Sequence, residues 1–467
     1  MGRQAKRPTM IGEGPKKYVA TKARLGPWGL GVWLLLAVQT TSAQESLTLQ
    51  EVSLRTIQNS PELQTFQWRL HAVDGLRQTA DLSPGFELGM EAENVFGSGE
   101  FSGTDRAEYT LSLSSIIELG GKRHSRVTVA NSRYALVEIE REARALDLLG
   151  RVTQRFIAVL ALQEKLQVSE EATRLAEVSL QAVKHRVERG AAPDAERLRA
   201  EAMLTQARLA RSAIKAELAS QRMALATLWG SQTADFDILE GDLYAFESAE
   251  AFEVLYQRVA DSPTLQIFAT EERLRDAELE LARSQSSSNV QWSLGIRRLE
   301  QFSDTALTAG VSIPLFAAKR NRGEVMAAMA ERESAGYRKQ ISSLALRARL
   351  FEAWQTHQQA VTATEQMGEK VLPALEEALV QTREAYERGS YRYIDLVSAQ
   401  RELLDARRAM IDAASTALSN QALIEQLTAE PLAGRITDSP GGAENESAIS
   451  KRGESNPSNQ GTSHVSN

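Results

Sequence analysis

Two hydrophobic periods alternate along the chain. The short one has period two. In FELGMEAENV, Phe86, Leu88, Met90 and Ala92 alternate with Glu87, Gly89, Glu91 and Glu93. In YTLSLSSI, Tyr109, Leu111 and Leu113 alternate with Thr110, Ser112 and Ser114. A second pair repeats this pattern: Val290, Trp292, Leu294 and Ile296, then Leu307, Ala309, Val311 and Ile313. Period two predicts strands with one apolar and one polar face. The polar turns GSGEFSGTD and EQFSD predict two hairpins, at about 85–117 and 289–315.

The other period is helical. Lys122 to Arg189 runs almost without a breaker and predicts a helix of roughly 100 Å. Pro193–Trp229, Arg320–Arg388 and Arg392–Glu430 follow in the same style, and Pro373 predicts a kink or a joint within Arg320–Arg388. Leu396, Ala399, Leu403, Ala406, Met410, Ala413 and Ala417 step by three and four, a heptad seam. The seam of Ala200, Leu204, Ala207, Ile214 and Leu218 is interrupted by Arg197 and Arg211. Shorter helical stretches, Leu47–Arg77 and Ala251–Ser284, precede the hairpins.

The same order of elements occurs twice. NSPELQ at Asn59 pairs with DSPTLQ at Asp261, and GGKRHSRVTVA at Gly120 with AAKRNRGEVMAA at Ala317. Gly190 pairs with Gly389, and QARLA at Gln206 with DARRA at Asp405. The reading is a tandem duplication. The first repeat spans 44–230, with its long helical hairpin at 122–230. A linker covers 231–250. The second repeat spans 251–430, with its hairpin at 319–430. Gly- and Ser-rich 431–467 reads as a disordered tail. Residues 1–43 read as a signal peptide: a basic run, the apolar core Leu25–Val38, and small Thr41 and Ala43 at a cleavage site. Met10 is an alternative start. No later run is apolar and long enough for a membrane helix.

Composition narrows the function. There is no cysteine, which excludes disulfides, thiolate metal sites and thiol catalysis. His71, His124, His185, His357 and His464 are scattered, with no metal-ligand spacing. No phosphate loop or nucleophile elbow occurs. The expectation is therefore no enzyme, no cofactor and no resident metal. A net charge of −7 does not favour nucleic acid.

Four strands with one apolar side are either a small sheet packed on helices or part of a membrane barrel. Four are too few to close a pore, so the barrel reading requires several chains. Gly190 and Gly389 each end a long helix and start another, marking two hairpin tips.

The duplication, the strand pairs and the tips RGAAPDAERLRAEAMLTQAR and RGSYRYIDLVSAQRELLDAR resemble the TolC family of outer-membrane efflux proteins. SIIELGGKRHSR and VSIPLFAAKRNRGEV are similar to its CzcC-like heavy-metal branch. The resemblance covers nearly all of the chain after residue 43. It implies a mainly α fold with a small β part: duplicated long helical hairpins plus four strands per chain, contributing to a trimeric twelve-stranded barrel above a helical tunnel. It implies a passive exit duct in the outer membrane, extending into the periplasm. The expected partners are a periplasmic membrane-fusion adaptor and an inner-membrane proton-driven pump of the RND type. The cargo implied is divalent heavy-metal cations. The alternatives are drug or organic-solute efflux, type I secretion, or a periplasmic coiled-coil scaffold without a pore. By the same resemblance Gly190 and Gly389 are adaptor-contacting tip glycines, and Asp395 is an acid lining the closed aperture. The family prototype's second acid is replaced by Ser398. Tyr391, Arg392 and Tyr393 are further aperture candidates, with Glu196 in the first tip at the position equivalent to Asp395.

Overall fold

Local capping and proline fix where the helices start. The structure is a computed structural model describing residues 46–246 and 250–430. The expected signal peptide and tail lie outside the described residues. Strand β1 (Ser46–Thr48) leads into α1 (Leu49–Asn59). Thr48 Oγ1 accepts the Glu51 N–H at 3.3 Å and Glu51 accepts the Thr48 N–H at 2.9 Å, a reciprocal cap. The single helix expected from Leu47 is broken at Ser60–Pro61, where proline opens α2 (Pro61–Ala80). The second repeat uses the same device. There α5 (Phe252–Val259) ends and α6 (Pro263–Gln285) begins after Ser262.

Strands β2 (Glu87–Glu93) and β3 (Glu108–Ile117) form one hairpin. Helices α3 (Lys122–Glu188) and α4 (Asp194–Ala226) follow. The linker holds β4 (Ile238–Glu240), which pairs parallel with β1. Periodicity did not reveal these two three-residue strands. The second hairpin, β5 (Val290–Leu299) and β6 (Asp304–Ser312), leads into α7 (Ala317–Gln366). The kink or joint expected at Pro373 takes the form of a π-helical turn, Met367–Val371, which joins α7 to α8 (Leu372–Glu387) just ahead of the proline. Helix α9 (Tyr393–Thr428) closes the described chain.

The hairpins join into one antiparallel sheet of order β2-β3-β5-β6. The helices line up in the same order: α2 packs on α3, α3 on α6, and α6 on α7. Register places Leu88, Leu113, Leu294 and Ala309 in one row, and Met90, Leu111, Ile296 and Leu307 in the next. This face is bare, with Met90 78% and Leu307 87% exposed. The opposite face carries the row Gly89, Ser112, Gly295 and Thr308. A Cβ on Gly295 would lie 2.7 Å from Thr308 Oγ1 and 2.8 Å from the Leu111 carbonyl. Side chains therefore converge on the polar face. Arg297 lies there too, donating to Glu108 at 2.9 Å and Thr110 at 3.1 Å and pairing with Glu93 at 3.2 Å.

The main core sits halfway along α3. Val152, Phe156, Ile157 and Leu160 pack with Leu47, Val52, Leu225, Trp229, Leu239, Ile411 and Leu418. Each large side chain buried there contributes about 1.5–3 kcal/mol. The Gln163 amide donates to the Leu239 carbonyl at 3.1 Å and accepts its N–H at 3.0 Å, covering one edge of β4. The seam on α9 drifts. Leu396 and Leu403 are buried as expected. Further on the buried positions are Ile411, Ala414, Ala417 and Leu418, so Met410 and Ala413 are each displaced by one residue. A helix of 3.6 residues per turn walks off a strict heptad by about 20° each repeat.

Candidate functional site at the helical tips

Both tips close by the same backbone geometry. Gly190 has φ +71° and Gly389 φ +83°, left-handed conformations that glycine adopts without strain. At the first tip the Gly190 N–H bonds the Val187 carbonyl and the Ala191 N–H bonds that of Arg186. At the second, Gly389 bonds Tyr386 and Ser390 bonds Ala385. Each is a Schellman ending, satisfying carbonyls the helix leaves open.

The helices that leave the tips differ. Asp395 is the third residue of α9 and accepts the Arg392 N–H at 2.9 Å; the Arg392 guanidinium lies 3.5 Å from the other oxygen. The equivalent residue of α4 is Glu196. It has no such N–H to accept, because Pro193 holds the capping position. One Glu196 oxygen is instead buried without a hydrogen-bond partner. Asp194 pairs with Arg197 (2.6 and 3.0 Å), which also reaches Glu201 at 2.8 Å. That hydrogen bond from Arg197 holds the Asp194 carboxyl below its usual range.

Behind the tips lies a cluster that sequence reading missed. Tyr386 is almost wholly buried against Tyr393, ring centres 6.2 Å apart. Leu180, Val183, Ala200, Leu204 and Leu396 surround them. The Arg186 guanidinium lies 4.4 Å from the Tyr386 ring centre and donates to the Tyr386 carbonyl. The Tyr386 hydroxyl has no hydrogen-bond partner. Burial, then the neighbouring Tyr386 and Glu196, pushes the Tyr393 phenol up to about 12. Burial also raises Tyr386, with Arg186 opposing and Glu196 reinforcing the shift.

The expected aperture residues therefore divide. Tyr391 and Arg392 are exposed at the end of the second tip, with Asp395 half-buried beside them. Tyr393 is turned into the cluster, because the first turn of α9 places it on the apolar face with Leu396. Its ring braces α8 against α9 and is not presented outward. Glu196 faces the same cluster from α4. Arg186 and Tyr386 left a faint signal: they stand four and three residues before their tip glycines. Among the described residues no group of three or more acidic or histidine side chains is arranged to hold a metal ion, and no helix is long and apolar enough to cross a membrane.

Comparison with known proteins agrees with this architecture. Residues 52–231 match the family described as outer membrane efflux protein. The cobalt-zinc-cadmium resistance protein CzcC of Cupriavidus metallidurans is 28% identical over 298 residues, covering 64% of this chain and 71% of that protein. The nickel-cobalt-cadmium resistance protein NccC of Alcaligenes xylosoxydans xylosoxydans is 25% identical over 300 residues, covering 63% and 67%. The outer membrane protein VceC of Vibrio cholerae shares the fold, with a TM-score of 0.68 at 19% identity over 82% of this chain and 96% of that one. Residues 52–231 thus carry an outer membrane efflux protein domain, in a chain that is similar to heavy-metal resistance proteins and shares the fold of an outer membrane protein.

Proposed function

We propose that three copies of this chain close one twelve-stranded barrel in the outer membrane and one twelve-helix tunnel below it. The observation that carries this is the sheet. Its apolar face is bare, its polar face is crowded with small side chains, and β2 and β6 each leave an edge unpaired. A curved sheet with small residues inside and large apolar ones outside suits lipid outside and water inside. Ten-residue β3 and β5 match the 9–11 residues a tilted membrane strand needs. Aromatic side chains flank the apolar rows: exposed Phe96 and Phe302 at the turn end, and Phe86, Trp292 and Phe316 at the helix end. Helices α2 and α7, the outer members of the helix row, carry apolar stripes: Trp68 and Leu76 on one, Met326, Tyr337, Ile341 and Leu344 on the other. A contact from α7 of one copy to α2 of the next, repeated, forms a closed ring.

In this reading the protein is the passive exit duct of a tripartite pump. The tips, turning at Gly190 and Gly389, meet a periplasmic membrane-fusion adaptor, which hands on cargo from an inner-membrane RND-type pump. The names of CzcC and NccC support divalent heavy-metal cations as cargo. Asp395, with Tyr391 and Arg392, lines the closed aperture. Glu196 and Tyr393 act behind it, through the packing of the tips. Three Asp395 carboxylates near one axis favour cations and repel one another as the aperture narrows.

The test is single-channel recording of the purified protein in a planar bilayer, with and without Asp395→Ala. Discrete steps with weaker cation preference in the variant are expected. A water-soluble monomer without conductance would overturn the reading.

A further inference from the structure

The two repeats correspond residue by residue. Asn59 stands against Asp261, 202 residues on, and Gly120 against Ala317, 197 on. The packing keeps this correspondence to within one residue. Arg69 of α2 meets Glu140 of α3, and Glu271 of α6 meets Arg338 of α7, the same place with the charges exchanged. The α2–α3 joint thus recurs as α6–α7. The α3–α6 joint has no second version within the chain. Its counterpart would bring α7 onto an α2, and the chain's own α2 lies at the other end of the helix row.

The α3–α6 joint has two anchors. The Lys122 ammonium donates to the Ser287 carbonyl at 2.7 Å and to Asn289 Oδ1 at 2.5 Å, at the elbow between α6 and β5. Two turns on, Val129 packs on Leu274 and Ala277. Carried through the repeat, Lys122 becomes Lys319, and its acceptors become Gly85 and Glu87 at the elbow between α2 and β2. Val129 becomes Met326, and its seat becomes Ala72 and Gly75. All six counterparts are exposed, and among the described residues Lys319 and Glu87 have no partner.

The counterparts complement one another. Where Lys122 meets an amide oxygen, Lys319 would meet a carboxylate. The Gly85 carbonyl accepts Ser115 Oγ at 3.1 Å and keeps a second lone pair. The knob grows from valine to methionine where the floor shrinks from leucine and alanine to alanine and glycine. A Cβ on Gly75 would meet nothing within 4 Å, so nothing in one chain calls for a glycine in mid-helix, where it weakens the helix. A close approach from a neighbour does. Arg133 and Glu278, paired at 3.0 Å, give way to apolar Ala330 and Leu76, the change a permanent interface favours.

We propose that the joint between copies repeats the joint within the chain. Lys319 of one copy seats on the Gly85 carbonyl and Glu87 carboxylate of the next, and Met326 fills the notch at Ala72 and Gly75. This rests on the three-copy reading and adds to it the register and the residues. Glu87 belongs to the polar face of the sheet, so the three ion pairs ring the inside of the duct where barrel meets tunnel.

The chain has no cysteine, so introduced thiols read the register directly. Gly75→Cys with Met326→Cys, oxidised in detergent, is expected to give a covalent trimer on a non-reducing gel. Gly75→Cys with Tyr337→Cys moves the second thiol about 16 Å along α7 and is expected to run as a monomer. Independently, Lys319→Glu and Glu87→Lys each speed trimer dissociation about ten-fold, and the two together return it to within about two-fold of the unmodified protein. A trimer that lacks the first disulfide or forms the second overturns the proposal, as does a charge exchange that restores nothing. Absence of any trimer from the unmodified chain removes the three-copy reading and the joint with it.

Discussion

Gly295→Ala should damage the sheet, although alanine for glycine in a strand usually gains roughly 0.5–1 kcal/mol. The added methyl would meet Thr308 Oγ1 at 2.7 Å, the Leu111 carbonyl oxygen at 2.8 Å and Ser112 Cβ at 3.2 Å. The hydroxyl can rotate away. The carbonyl cannot, because Leu111 lies opposite Ile296 within the β3–β5 ladder. Relieving the contact takes about half an ångström of backbone shift, and overpacking of this kind costs about 1–3 kcal/mol. The net loss is about 1–2 kcal/mol. Gly310 is the internal control. Its Cβ would meet only Ser293 Oγ, at 2.7 Å, a hydroxyl free to turn. Gly310→Ala should therefore be close to neutral. Urea denaturation in detergent, followed by Trp292 fluorescence with the other tryptophans replaced by phenylalanine, compares the two. Equal losses, or stabilisation by Gly295→Ala, would refute the argument that the polar face is the crowded inner one.

Three further outcomes follow from the helices. Arg186→Ala removes the cation over Tyr386 and the bond to its carbonyl, about 2 kcal/mol at the tip, so trypsin should cleave after Arg388 about 30-fold faster. Tyr393 is held neutral when folded. Its contribution is intact below its usual pKa of 10 and is lost as pH rises towards 12. Phenolate absorbance should show a late-titrating group of tyrosines that includes Tyr244 and Tyr386, and Tyr393→Phe should lower its amplitude by one tyrosine. Burial pushes the Glu62 carboxyl up, but Arg151 and Arg144 outweigh it and hold it below its usual 4.5. The docking of α2 on α3 is thus full above pH 4.5 and weakens as pH falls through the lowered value. Glu62→Gln should flatten that dependence in acid unfolding curves.

The large sheet was legible because each strand is one-sided over seven to ten residues. The tips were legible because a breaker interrupts an otherwise unbroken helical pattern at Gly190 and Gly389. Strands β1 and β4 were not, since three residues carry no period and their pairing joins positions far apart in sequence. The same holds for Arg186 and Tyr386, which are 200 residues apart and meet only when the two repeats fold together. Tyr393 looked like an exposed tip residue because it follows Tyr391 and Arg392. The first helical turn decides otherwise, placing Tyr393 and Leu396, three residues apart, on one buried face. The seam failed where its assumed period differed from that of a real helix.

The treatment of sheet edges has a consequence for biogenesis. At the small sheet the chain supplies its own cover, the Gln163 amide on β4. At the large sheet, among the described residues, it supplies none. A lone subunit would carry two sticky strands and a greasy surface, the combination that seeds aggregates. In the three-copy reading, ring closure becomes a race whose rate climbs steeply with local subunit supply, while misassembly needs only two encounters. Underproduction, and not only mutation, would then be a route to failure. Yield of mature channel should fall faster than in proportion when expression is reduced.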